Sequence, residues 1–264
     1  MLKKLGAILF VFVLVVSLAA CAGSPTPTPP PDADPETRAY EMYSQIMRLM
    51  SVDTSGAYDI DFVMDMEMYV MGEVIIMTST GNMQMVVDGE DMRSVMVMEM
   101  DMGELGVTSM EMHMVFEDNQ LTELGFIVDG QDMSEIIPVD MVREMMDGTV
   151  NLPILETEGL ISAEIEEVGG NTVMHLVLDG QMFTDFMVET MDGMMEMLGG
   201  LDPMDLSLEV EDIIMTIVAD SNDNPVSMTM EMNMQMEFEG EVIVLNSTTE
   251  YTFNAFGDDV RIAV

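Results

Sequence analysis

Met228, Met230, Met232, Met234 and Met236 occupy every second position of a segment whose intervening residues are Thr229, Glu231, Asn233 and Gln235. The same period of two recurs at Met64, Met66 and Met68 around Asp65 and Glu67. It recurs again at Met96, Met98, Met100 and Met102 around Val97, Glu99 and Asp101, and at Met110, Met112 and Met114 around Glu111 and His113. Successive side chains of a strand point to opposite faces, so each segment puts its methionines on one face and mostly acids, amides and hydroxyls on the other. Helical spacing would scatter both classes around the axis. Long β-strands with one methionine face are therefore the frame of this chain.

Methionine is not a favoured strand residue, and strand propensity alone would have selected Val or Ile at these positions. The chain nevertheless holds 37 methionines. A face built from unbranched, polarisable side chains repacks around irregular shapes. Two readings follow: an adaptable wall for an apolar ligand, or a core in which methionine fills space. The spacing leaves both open.

Reading the rest of the chain by period gives a coarse order. A helix is expected over about 36–50, with Pro35 at its start and Met42, Ile46, Met47, Leu49 and Met50 apolar. Strands follow near 57–71, 73–87, 92–102, 107–118 and 121–128. A short helix is expected over about 138–146, then strands near 160–168 and 172–179. A second helix is expected over about 181–198, with Phe183, Met187 and Met191 on one side together with Met194, Met195 and Leu198. Strands near 205–220, 226–239 and 241–256 close the chain. Asp223-Asn224-Pro225 reads as a turn, and the repeated Val-Asp-Gly at 87–89 and 128–130 as repeated turn chemistry.

The first residues have a different character. Lys3 and Lys4 precede an uncharged apolar run from Leu5 to Ala20, the layout of a secretory signal. The run is short for a membrane span of about 20 residues. It ends Leu18-Ala19-Ala20-Cys21, which resembles the bacterial lipobox. That motif implies cleavage before Cys21 and a diacylglycerol on its sulfur, hence export and attachment to the outer face of the cell membrane. Cys21 is the only cysteine, so no internal disulfide is available and stability must come from a core. Residues 21–35 are proline-rich and read as an extended stalk, about 40 Å long at ~3.1 Å per residue. Residues 36–264 suit one domain with a sizeable core.

Charge narrows the partners. The chain has 50 acidic and 7 basic residues and a net charge of −43. Loss of Lys3 and Lys4 with the signal makes it more negative still and removes every lysine. Nucleic acid and anionic membrane surfaces repel such a body. At 48% hydrophobic, and with that content patterned, the chain is not a disordered acidic tail. A monomer is expected. Asp88-Gly89-Glu90-Asp91 and Asp129-Gly130-Gln131-Asp132 lack calcium-loop spacing and read as hairpins.

Catalytic signatures are missing. There is no Gly-x-Ser-x-Gly, no His-Glu-x-x-His, no P-loop and no dinucleotide fingerprint. His113, on the polar side of a strand, and His175 each lack a sequence-local partner and read as exposed or satisfied histidines. No enzyme activity and no cofactor are expected. Met-x-Met thioethers are soft Cu(I) ligands, but they are spread over whole strands rather than gathered at one spot. A surface interaction or sensor domain with a closed core is the other class that fits.

Several of these features occur together in a known group. They are the lipobox with its stalk, the early helix before the long strand 59–71, and the methionine-alternating hairpins. They also include Leu176-Val177-Leu178-Asp179-Gly180 leading into a helix, and the turn 223–225 followed by Met228–Phe238. In this combination the chain resembles the bacterial lipoprotein carriers and lipid-binding lipoproteins typified by LolA, LolB and LppX. It resembles still more an uncharacterised Gram-positive lipoprotein family. The resemblance implies a mainly β, α+β fold: a long antiparallel sheet curled into a half-barrel, with helices covering its concave face and lipid or acyl chains bound between. The lining would come from Met64, Met66 and Met68, from Met98 and Met100, from Met112 and Met114, from Met230, Met232 and Met234, and from Phe183, Met187 and Met191. The resemblance brings no catalytic residues. Carriers that meet anionic lipid surfaces keep some basic residues, and this chain departs from them in having almost none.

Overall fold

The computed structural model describes Thr37 and residues 56–70, 72–88, 91–103, 106–117, 120–133, 159–185, 187–188, 206–221, 224–238 and 241–256. Among these, twelve strands form one antiparallel sheet. They are β1 Gly56–Val70, β2 Glu73–Asp88, β3 Asp91–Asp101, β4 Val107–Glu117, β5 Gln120–Val128 and β6 Gln131–Asp132. Then come β7 Leu160–Val168, β8 Asn171–Leu178, β9 Leu206–Val210, β10 Ile213–Ala219, β11 Pro225–Phe238 and β12 Glu241–Phe256. A short helix, α1, covers residues 180–185 and 187–188.

The order across the sheet is β6-β5-β4-β3-β2-β1-β12-β11-β10-β8-β7, with β9 on the same edge of β11 as β10. The chain enters at the centre, meanders out to β6, resumes at the far edge with β7 and meanders back. The last strand, β12, lies beside the first, so the longest-range pairing closes the middle of the sheet.

Turn chemistry sets the register. Asp129 and Gly130 both have positive φ, at 50° and 75°, as a tight type I′ hairpin requires. The Asp129 carboxylate accepts from the Ser109 amide at 2.8 Å, tying this turn to β4. Between β10 and β11 the Asp220 amide donates to the Asn224 carbonyl, and the Asn224 amide donates to the Asp220 carboxylate. At the end of β8, Asp179 caps α1 by accepting from the Gln181 amide at 2.8 Å.

α1 sits against a break in the sheet. The apolar parity runs Leu206, Leu208, Val210, then shifts to Ile213, Met215, Ile217. Glu211 and Asp212 absorb that extra residue. The Glu211 amide donates to the Asn233 carbonyl, keeping the break attached to β11. Thr184 bridges helix and sheet: its buried hydroxyl donates to the Gly180 carbonyl and accepts from the Val210 amide, each at 2.9 Å. A Cβ on Gly180 would stand 2.2 Å from the Glu211 carbonyl oxygen, so only glycine fits at this approach.

The α+β expectation is corrected here. The described structure is almost entirely β, with α1 as its one short helix beside the single helical residue Thr37. Among the described residues, helices covering the concave face of the sheet are not seen. The segments 138–146, 189–198 and the rest of 36–50 lie outside the described residues. The cover is what the family resemblance implies; amphipathic spacing by itself shows only that one side of a segment is apolar, not what it packs on. Among the described residues, the strands carry most of the buried apolar side chains. Sheets of more than about ten strands curl rather than stay flat, and inner-face residues are buried on strands from β5 to β8 across the sheet.

Candidate functional site

One face of the sheet is mainly apolar and rich in methionine. On β1 it shows Met64, Met66 and Met68, all buried. On β3 and β4 it shows Met98, Met100, Met112 and Met114, also buried, and on β11 Met232 and Met234. Met230 is partly buried and packs against the same cluster. From α1, Phe183 and Met187 join it. Met191 and Cys21 lie outside the described residues. The described strand members of the expected lining stand on one face, and Phe183 and Met187 join them in one cluster.

Strand pairing turns these ladders into rows. Ile60 faces Met83, which faces Met96, then Met112, then Phe126. Met66 faces Met77 on one side and Ser247 on the other, and Ser247 faces Met232. Met64 lies between Ser79 and Thr249, and Thr249 faces Met230, then Met215, then Leu176. Methionine dominates β1–β4 and β11. The face of β8 and β10 is mixed, with Met174, Leu176, Leu178, Ile213, Met215 and Ile217. A long side chain without branching at Cβ fills such rows in several rotamers at similar energy.

Glycine makes room in one row. Gly81 lies between Phe62 and Met98, and a Cβ there would meet both the Phe62 ring and the Val97 carbonyl oxygen at 2.5 Å. The Phe62 ring lies over this position and packs at a tilt on Tyr251, with centroids 6.5 Å apart. Burial pushes the Tyr251 phenol up to about 12 and raises that of Tyr58.

Sequence reading missed the polar members of this face. Ser79, Ser94, Ser247 and Thr249 are buried on the methionine side. The signal was available, because each holds the apolar parity of its strand.

The opposite face is acidic and is held together by neutral donors. The Asn82 amide donates to both Asp59 and Asp61, Gln84 to Asp59, and Asn254 to Asp61, at 2.7–3.0 Å. Thr78 donates to Asp65 and Asn233 to Glu211. Carboxamides and hydroxyls here take the place of lysine. Among the described residues Arg93 is the one Lys or Arg, and it is exposed. His113 meets Glu111 two positions away on the same strand face, a local partner that the sequence reading overlooked. His175 lies between Thr216 and Glu166 at 3.2 and 3.5 Å. Among the described residues, neither histidine meets more than these neighbours. Among the described residues no three His, Cys, Asp or Glu side chains group as metal ligands.

The fold and this face define a class: a wide antiparallel sheet with an acidic outer surface and a buried, methionine-lined inner one. No protein-family model and no curated protein matches the chain by sequence. Solved structures with some likeness include a DUF1329 family protein from Desulfovibrio piger. It is 14% identical over 88% of this chain and 96% of that one, with a TM-score of 0.23. A β-barrel-like DUF1849 protein from Brucella abortus is 10% identical over 77% and 99%, with a TM-score of 0.24. A putative outer membrane lipoprotein-sorting protein domain from Vibrio parahaemolyticus is 9% identical over 86% and 94%, also at 0.24. Superpositions this loose assign neither a family nor a function.

Proposed function

We propose that this protein is an exported, lipid-anchored binding protein that holds an apolar ligand against its methionine-lined face. The observation that carries this reading is the composition of the buried face. Across β1–β4 and β11, positions that strand propensity would give to Val or Ile carry methionine instead, in register from strand to strand. A closed core gains nothing from that choice, because branched side chains pack a sheet with less conformational loss. A face that must accommodate an acyl chain gains adaptability. The lipobox at Cys21 and the stalk after it support attachment to the outer face of the cell membrane. The charge of the body supports a role that does not require contact with anionic headgroups. No catalytic role is assigned to any residue.

A second reading has one observation behind it. On the outer face, Val74 and Ile76 are more than half exposed beside Tyr69, at 52%, 60% and 41%. An exposed apolar group of this kind suits contact with another protein, and it fits an interaction or sensor domain. Uptake of a fluorescent fatty acid by the delipidated full chain separates the two readings: a ligand-binding face takes it up, and a closed core does not.

A further inference from the structure

Three hydroxyl side chains interrupt the methionine face at its centre. Ser79 and Thr249 flank Met64 on either side, and Ser247 flanks Met66. They are 2%, 3% and 7% exposed. Ser247 and Thr249 are neighbours on one face of β12, about 7 Å apart, and Ser79 lies two strands from Thr249, about 10 Å away. Among the described residues, none of the three hydroxyls has a hydrogen-bond partner. Two other buried hydroxyls are bonded: Thr172 donates to Glu167, and Thr184 holds α1 to β9. Ser94, buried on the same face, likewise has no hydrogen-bond partner among the described residues, but it lies apart from the three, about 20 Å along the sheet.

A buried hydroxyl without a partner is costly, and Ala, Val or Met at these positions would remove the cost. Three of them at the centre of an otherwise apolar wall therefore point to something that bonds them. Its charge is constrained as well. No Lys or Arg faces this surface among the described residues, since Arg93 is exposed, and the chain carries 50 acids. An anionic group buried here would meet no cation among the described residues, in a chain with 50 acids. Neutral oxygens meet no such barrier: an ester carbonyl accepts from a hydroxyl, and an alcohol both donates and accepts.

We infer that Ser79, Ser247 and Thr249 form a polar recognition site for the oxygen-bearing part of an uncharged acyl lipid, whose chains lie along the methionine rows. This inference rests on the ligand-binding reading above and narrows it, from any apolar molecule to a neutral acyl ester or alcohol.

The test uses the full chain carrying Cys21→Ser, delipidated and loaded with a fluorescent fatty acid. Three competitors displace the probe: 1-monooleoylglycerol, oleate and octadecene. The chain should prefer the monoacylglycerol over both others by about tenfold or more. The variant Ser79→Ala/Ser247→Ala/Thr249→Val should lose that preference and keep its affinity for octadecene. Without ligand it should melt no lower than the parent, because it sheds unpartnered groups. Oleate preferred over the monoacylglycerol, an unchanged preference in the variant, or a variant that fails to fold would each overturn the inference and leave the ligand-binding reading standing. A parent chain that takes up neither the probe nor any competitor would overturn the reading and the inference together.

Discussion

At the residue scale, two positions on the methionine face constrain what the chain can become. Gly81 is required because the Phe62 ring and the Val97 carbonyl occupy the space a Cβ would take. Gly81→Ala should destabilise the protein by about 1–3 kcal/mol. A lowered denaturation midpoint with an unchanged slope would show it, and an unchanged midpoint would contradict the packing described. Tyr251 sets an alkaline limit. Its phenol is pushed up to about 12, against 10.0 for the free side chain, and burial is the cause. Below pH 10 the phenol is protonated whether the chain is folded or not, so its contribution is fully present. From pH 10 to 12 the unfolded chain releases the proton while the folded chain keeps it, and stability falls across that window. The loss should approach about 2 kcal/mol by pH 12. Tyr251→Phe should largely remove it, measured by guanidinium unfolding at pH 9 and pH 11.5. With 5 tyrosines and no tryptophan in the chain, ultraviolet absorbance reports tyrosinate formation directly.

At the element scale, most strands were legible, and so was the start of the helix expected from 181, observed as α1; the role of helices as a cover was not. Alternation marks β2 at 73–87 against the observed Glu73–Asp88, and β12 at 241–256 as observed. The reason is physical: with a period of two and one buried face, a slip of one residue would turn every methionine outward. The period predicts one strand over 205–220, where the structure has β9 and β10, broken at Glu211–Asp212. The parity change across that break was visible, but a change of parity inside a strand looks the same as noise when its neighbours are unknown. Helical spacing in methionine-rich segments was weaker evidence, because Met supports both periods and carries no information about the partner surface. The hydroxyls of the inner face were missed for a related reason: a serine at an apolar parity reads as an exception until pairing sets it beside Met64 or Met66. The β11 ladder offers a test of what its thioethers do. Met230, Met232 and Met234 changed to Leu should cost less than about 1.5 kcal/mol each, since volume is conserved. Cu(I) titration of the parent should show no tight stoichiometric site. Submicromolar Cu(I) binding abolished by those changes would make the ladder a metal site instead.

At the scale of the whole molecule, the two halves of the proposal have separate supports. Attachment depends on Cys21, which lies outside the described residues and was read from the sequence alone. Cys21→Ser should release soluble protein or leave uncut precursor, as cell fractionation would show. A correctly cleaved serine variant retained on the membrane would remove the lipid anchor from the account. The body of the protein is built around a sheet whose two faces are chemically opposite. The outer one bears carboxylates held by amides and hydroxyls, and the inner one is buried methionine. That division was legible from alternation alone. What the inner face holds was not, because core and ligand wall use the same residues. The most direct measurement is mass spectrometry of what the full chain carries. The protein is purified without added lipid, unfolded in organic solvent, and the extract is compared with that of a control protein taken through the same steps. Acyl lipid should be extracted in near-stoichiometric amount, and the protein should take up a fluorescent fatty acid once that lipid is removed. A well-folded chain that yields no lipid and takes up no such probe would contradict it, and the methionine face would then be a closed core.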